Sequence, residues 1–286
     1  MRYIATFDIG TTAVKGVLVS IEGTPVFSKS VNIETIFEGD YKEQCPVDWY
    51  NGFCMISKVF FDNGYSPSDI IGIIMSGQMQ DLISVDDRGL PVRNAILYSD
   101  GRAGKQAEEI AGIVGLNNIS DSTGNNFDGS LPFPKLLWLK QNCPEEYERT
   151  TKVLFSSKDY VIGRLTGCYV TDVTTASTVG LMDIHNKTWN TEWADAVDID
   201  KVKLPCLLYA EDQVGTVTAK AAVESGYIKG TPVYTGTGDA GATTLASGIT
   251  SEGEFNINLG TSGWVACVAS EVLRVDNVFN LAAMPK

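Results

Sequence analysis

The chain opens as strand, tight turn, strand. Tyr3 to Ile9 is apolar and β-prone, Gly10-Thr11-Thr12 interrupts it, and Ala13 to Ser20 alternates again before Glu22-Gly23 turns the chain into Pro25 to Asn32. This antiparallel meander constrains the fold more than any other feature, because a doubly wound dinucleotide-binding sheet opens β-α-β instead. The first turn also carries chemistry. Asp8 ends a strand, the turn offers backbone N–H groups and two hydroxyls, and Lys15 adds an ammonium. Glycine lets a backbone approach an anion, threonine supplies donors, and a strand-end aspartate orients magnesium-bound water. Gly10, Thr11, Thr12 and Lys15 are therefore candidate phosphate contacts, and Asp8 a candidate magnesium site acting through water. A plain β-turn with solvated polar groups accounts for the same residues.

A second hairpin of the same chemistry is expected near the other end, where Glu254 to Leu259 and Trp264 to Val268 flank Gly260-Thr261-Ser262-Gly263. An actin-like nucleotide fold grips phosphates between two such hairpins, one per domain, which makes Gly260, Thr261 and Ser262 the second candidate phosphate turn. A third turn, Thr235-Gly236-Thr237-Gly238-Asp239-Ala240-Gly241, matches G-x-G-x-x-G between a strand and a helix. A dinucleotide reading of it meets two objections. Asp239 would repel a pyrophosphate at the helix start, and too few residues follow Gly241 to complete a nucleotide-binding sheet. A carboxylate at a helix N-terminus is held ionised by the helix dipole, as a base for an alcohol proton must be, so Asp239 is a candidate general base. An ordinary N-cap satisfies the same residue type.

Between these turns the sequence predicts an amphipathic helix after Pro46, with Trp49, Phe53, Ile56 and Phe60 on one face and an end at Asn63-Gly64. A buried strand follows from Ile70 to Met75. Further helices are expected from Arg102 to about Val114, from Pro134 to about Gln141, from Lys158 to Leu165 and from Thr218 to Ser225, with a short one after Asp239. A net charge of −13 disfavours nucleic acid, and no apolar run approaches the roughly 18 residues of a membrane span. The N-terminus lacks the features of a secretory signal, so a cytoplasmic location is expected. The six cysteines form no C-x-x-C and have a single histidine, His185, to join them, so free thiols are expected and zinc is not. His185 reads as a solvated turn residue, and Trp138, Trp189 and Trp193 as packing groups.

With its three turns in this order, the chain resembles the FGGY family of carbohydrate kinases, which carry D-x-G-T, then G-D, then L-G-T-S-G. The similarity extends to Ser76-Gly77-Gln78-Met79-Gln80, to Ala95–Arg102, to Pro134–Leu139 and to Ser157-Lys158-Asp159-Tyr160, which look like xylulokinase-type segments in the expected order. The resemblance implies an α/β chain of the actin-like, ribonuclease-H-like ATPase fold, a mixed sheet flanked by helices. It places a sugar-binding domain at 1–249 and an incomplete start of an ATP-binding domain at 250–286.

It also implies a reaction: transfer of the ATP γ-phosphoryl group, with magnesium, to a terminal hydroxyl of a sugar or polyol. Asp239 would be the base, Asp8 would place the metal, and Gln78, Met79, Gln80, Asp100 and Arg102 would line the sugar site. The pattern departs from common xylulokinases at Gln80-Asp81, where histidine and glycine are usual, and at Tyr98-Ser99, where tryptophan and asparagine are. For Asp100 and Arg102 a structural ion pair at a helix start is an equal alternative. A separate chain supplying the remaining domain, and a homodimer, are expected partner arrangements. Two functions stay open: a kinase fragment completed by the missing half, and a sugar-binding module without catalysis.

Overall fold

The structure is a computed structural model that describes residues 1–259, 263–275 and 278–282. The meander forms as expected: β1 (Tyr3–Ile9), β2 (Ala13–Ser20) and β3 (Pro25–Asn32) pair antiparallel in sequence order. The chain then crosses through helix α1 (Pro46–Asp62) and returns as Ile70–Gly77, parallel to β1 on its free side. A helical crossover is what a parallel return requires. The sheet runs Gln213–Thr216, Pro232–Tyr234, Ile70–Gly77, β1, β2, β3, and the short strand Thr237–Gly238 also pairs with Ile70–Gly77. Mixed strand directions of this kind match the expected fold class.

Pro46 starts α1 at a position where its missing N–H costs nothing, and the chain leaves the helix through Asn63 into Gly64, which is left-handed at φ 91°. Trp49, Phe53, Ile56 and Phe60 are fully buried. They pack on the alternate residues Ala5, Phe7 and Ile9 of β1, with the Phe7 and Phe53 rings 4.4 Å apart. The close approach needs a gap in β2. A Cβ on Gly16 would lie 2.5 Å from Ile56 Cγ2 and 2.8 Å from Phe7 Cε1.

A second sheet, in the order Ile36–Glu38, Tyr41–Gln44, Ala95–Ile96, Met79–Val85, Lys152–Ser156, carries its own apolar core. The strands Ile70–Gly77 and Met79–Val85 are separated by one residue, Gln78, so the chain passes from the first sheet to the second at that point. The expected helices are found at Gly104–Val114, Pro132–Asn142, Ser157–Thr166 and Ala219–Ser225. The second begins at Pro132 instead of Pro134, because both prolines fit a first turn whose N–H groups have no intrahelical partner. Short helices at Leu116–Thr123, Pro144–Arg149 and Thr191–Ala196 were not anticipated, being too brief to display a period.

The last paired strands, Phe255–Leu259 and Gly263–Cys267, form an antiparallel hairpin as expected, with Phe255, Ile257 and Val265 exposed. Its turn residues Gly260, Thr261 and Ser262 lie outside the described residues. Gly16→Val should destabilise the fold by roughly 1–3 kcal/mol, because the cage of Phe7, Ile56 and Phe60 has no slack. Urea unfolding followed by circular dichroism measures it.

Candidate functional site

Two carboxylates meet at one end of the central sheet. Ser76, near the end of Ile70–Gly77, pairs in parallel with Asp8 of β1 on one side and with Thr237 on the other. Asp239 follows two residues after Thr237, so both acids stand at the carboxyl ends of the two parallel strands that flank Ile70–Gly77, where open α/β sheets hold their ligands. The Ser76 hydroxyl donates to Asp8 Oδ1 at 3.0 Å. No hydrogen bond engages Asp8 Oδ2 among the described residues.

Asp239 is the first residue of helix Asp239–Ala246, and Gly238 occupies the cap position. The N-cap alternative therefore does not hold. Asp239 Oδ1 accepts the Ala240 N–H at 2.7 Å. The side chain is exposed to solvent, yet the protein around it removes enough water to raise its carboxyl to about 6; the nearby charge of Asp8 adds to the rise, and the Ala240 N–H opposes it. The expected stabilisation of the anion at the helix start is thus outweighed by desolvation and like charge. The glycines of the G-x-G-x-x-G pattern serve packing. Gly236 is left-handed at φ 64° and a Cβ there would lie 1.8 Å from the Met75 carbonyl oxygen, while one on Gly238 would lie 2.2 Å from Met79 Sδ. The loop is shaped to seat its strand beside Ile70–Gly77.

The first turn is tight, with the Gly10 N–H donating to the Ala13 carbonyl at 3.1 Å. Thr12 and Lys15 are exposed, and Lys15 sits opposite Asp8 across the β1–β2 ladder. Thr11 instead turns inward and donates its hydroxyl to Gln78 Oε1. Gln78 is only 1% exposed, and its amide nitrogen donates to Gln44 Oε1 at 3.0 Å. Gln44 in turn donates to the Thr11 carbonyl at 2.7 Å and accepts the Trp49 indole N–H at 3.0 Å. Gln78 was expected at the sugar; here both ends of its amide are occupied beneath the turn. Thr11 likewise offers its hydroxyl inward and not to a phosphate.

Met79 is buried against Gly238. Gln80 is half-buried in the left-handed region at φ 64°, an uncommon conformation for a side chain of this size. Its carbonyl accepts from the Lys135 ammonium at 3.2 Å, and the same ammonium donates to the Leu97 carbonyl at 2.7 Å. Asp81 next to it is wholly buried. Its Oδ1 accepts the Tyr98 N–H at 3.1 Å, but Oδ2 has no partner among the described residues. Burial pushes Asp81 well above the usual carboxylate range, against the pull of Lys135, and burial lowers Lys135 to about 8. Asp239 contributes to the rise at Asp81, so its charge reaches this cluster too.

Asp100 and Arg102 form the structural ion pair. Asp100 accepts from Arg102 Nε at 2.9 Å, Arg102 Nη2 at 2.6 Å and the Lys42 N–H at 2.7 Å. The Arg102 guanidinium also meets Glu43 at 2.8 Å and lies over the Tyr41 and Trp138 rings, at 3.8 and 4.9 Å. Both side chains are at most 1% exposed, which leaves neither free for a sugar in this conformation.

Several residues of the site were not singled out by sequence. Ser76, Gln44, Asp172 and Thr237 act through long-range contacts that no local spacing announces; for Asp172 the one available signal was an acid closing the short strand Val170–Asp172. Lys158, quoted only as part of a similar segment, proves to be fully buried between Asp159 and Asp172, at 2.6 and 2.9 Å. Among the described residues no group of three or more His, Cys, Asp or Glu could hold a metal by itself. None of the described helices is long and apolar enough to cross a membrane.

A mixed sheet with a carboxylate pair at the ends of its parallel strands and a glycine-threonine hairpin beside them defines a domain of the actin-like ATPase class. Residues 3–246 match the FGGY family of carbohydrate kinases, N-terminal domain, and the chain belongs to that family. It is 33% identical over 264 residues to xylulose kinase of Staphylococcus xylosus, covering 92% of this chain and 54% of the relative. Against xylulose kinase of Lactococcus lactis it is 34% identical over 278 residues, covering 95% and 54%. The crystal structure of xylulose kinase from Rhodospirillum rubrum superposes with a TM-score of 0.86 at 29% identity, over 92% of this chain and 55% of that one. The chain thus spans about half the length of the curated relatives it matches.

The Asp239 carboxyl should titrate with a midpoint near pH 6, followed by carboxyl-carbon NMR. Asp8→Asn removes a like charge and should move that midpoint down.

Proposed function

We propose that this chain is the sugar-binding half of an ATP-dependent carbohydrate kinase, with residues 1–249 forming the sugar domain and 250–286 the start of the nucleotide domain. The convergence of Asp8 and Asp239 at the strand ends carries this reading. Asp239, with a carboxyl raised to about 6, is a better base than an ordinary aspartate and still mostly ionised at neutral pH. It takes the proton of the sugar's terminal hydroxyl as that oxygen bonds to the γ-phosphorus. The bond from that phosphorus to the β-phosphate bridging oxygen breaks, ADP leaves, and Asp239 returns the proton to solvent. The protein contributes position and charge neutralisation, which is most of what phosphoryl transfer asks.

Magnesium binding is compatible with what is present: Asp8 has an uncommitted Oδ2, and this ion is commonly held by one or two carboxylates together with substrate phosphates and water. When bound, it would neutralise charge developing on the phosphates. Gly10, Thr12 and Lys15 would meet those phosphates from one side, and Gly260, Thr261 and Ser262 from the other. For the sugar, Gln80 keeps its assigned role, whereas the contacts of Gln78, Met79, Asp100 and Arg102 argue for support. Asp81 Oδ2, without a partner among the described residues, marks a polar position that common xylulokinases fill with glycine, so a polyhydroxylated substrate is supported and D-xylulose is left to experiment.

In protein completed with the remaining half, Asp239→Asn should lower kcat by at least about 1000-fold while sugar affinity by calorimetry stays within a few fold. Near-normal turnover would refute the base. In the unsubstituted protein the rate should fall as pH drops through about 6, because the protonated acid cannot accept a proton. Sugar binding with no nucleotide binding in the completed protein would leave a non-catalytic binding module. A panel of ketopentoses, hexonates and polyols identifies the substrate.

A further inference from the structure

The first turn of helix Ser157–Thr166 is tied toward both segments that carry the two candidate site acids. On one side the Ser157 hydroxyl donates to the Ile9 carbonyl at 2.6 Å, one residue beyond Asp8. On the other, the Lys158 ammonium bonds Asp159 Oδ1 at 2.6 Å and Asp172 Oδ1 at 2.9 Å. Asp172 Oδ2 then accepts the Thr237 hydroxyl at 3.0 Å, two residues before Asp239. The Thr175 hydroxyl and N–H complete Asp172, at 2.6 and 3.1 Å. Ser157, Lys158, Asp159, Asp172 and Thr175 are all wholly buried, and Thr237 is nearly so.

A buried ion cluster of this kind is an expensive way to fill a core. Apolar side chains of equal volume are often as stable or more so, and the best-attested use of such groups is to fix one geometry among several. Here the geometry in question is the strand Thr237–Gly238, whose two pairs with Ser76 and Gly77 form a short ladder. Two pairs hold a segment weakly, so an added tie from a rigid buried acid decides where it sits. Asp172 suits that task because Lys158 and the Thr175 donors hold its carboxyl below the usual range despite burial, while Lys158 stays cationic.

We infer that Lys158, Asp172 and Thr237 form a positioning relay that fixes Asp239 relative to Asp8, with Thr237 as its last link. This rests on the reading of Asp239 as the base, and it concerns geometry: none of the three residues need touch substrate. The acids that act on or feel Asp239 are Asp8, which raises it, and the buried Asp81, whose acid form is favoured.

The test compares Thr237→Val, which keeps shape and removes the hydroxyl, with Thr237→Ser, which keeps the hydroxyl. In this chain, carboxyl-carbon NMR should show the Asp239 midpoint moving by about half a unit or more in the valine variant and returning toward its original value in the serine variant. In completed enzyme, the valine variant should lose kcat by about 10–100-fold with KM within about twofold, and serine should restore most of it. A folded valine variant with unchanged midpoint and unchanged kcat overturns the relay. Lys158→Met should displace the midpoint in the same direction as valine; if it does not fold, the threonine pair alone decides. A displaced midpoint together with an unsubstituted enzyme that transfers no phosphate would uphold the relay and sink the kinase reading. Normal transfer with an immobile midpoint would do the reverse.

Discussion

The site depends on a register. Ile70–Gly77 is the strand against which both β1 and the Thr237–Gly238 segment are laid in parallel, and Ser76 is the rung they share. A slip of one residue in the pairing of β1 would turn Asp8 to the opposite face of the sheet, since strand side chains alternate. The Thr237–Gly238 pairing is guarded by local shape: Gly236 admits the Met75 carbonyl at a distance no other residue tolerates. The hydroxyl of Thr237 then ties the segment to Asp172. Register, glycine and buried charge thus act on one short stretch of chain.

Much of this was legible in the sequence. The meander, α1 and the central buried strand follow from period and punctuation, because those signals are local and strong. Asp8 and Asp239 could be chosen because one closes an apolar strand just before a glycine-threonine turn and the other opens a helix directly after a glycine. What could not be read was which polar residues are already committed. Gln78 lies in a segment similar to sugar-contacting ones, yet its partners Thr11 and Gln44 come from distant parts of the chain. Asp100 and Arg102 are neighbours in sequence, but the lid of Tyr41 and Trp138 that seals the pair is not. The sign of the shift at Asp239 was also misjudged, since a helix dipole is visible in sequence and desolvation is not.

The electrostatics show two ways of keeping buried acids around the strand ends. Asp172 is surrounded by donors and a cation and remains an anion although wholly buried. Asp81 has one backbone donor and a neighbouring ammonium that is itself desolvated, and its acid form is favoured instead. Asp239 lies between these extremes, partly stripped of water but exposed, with its carboxyl raised to about 6.

The passage from one sheet to the other at Gln78 has a consequence for how relatives of this chain can diverge. Within Gln78-Met79-Gln80-Asp81, the first residue answers to the turn after β1, the second to the strand before Asp239, and only the last two stand where an orphaned oxygen and a left-handed backbone leave contacts unfilled. If the proposed sugar site is right, exchanges at 80 and 81 are the ones the structure leaves room for, while Gln78 and Met79 are held by their neighbours. Two positions could then vary without disturbing the turn after β1.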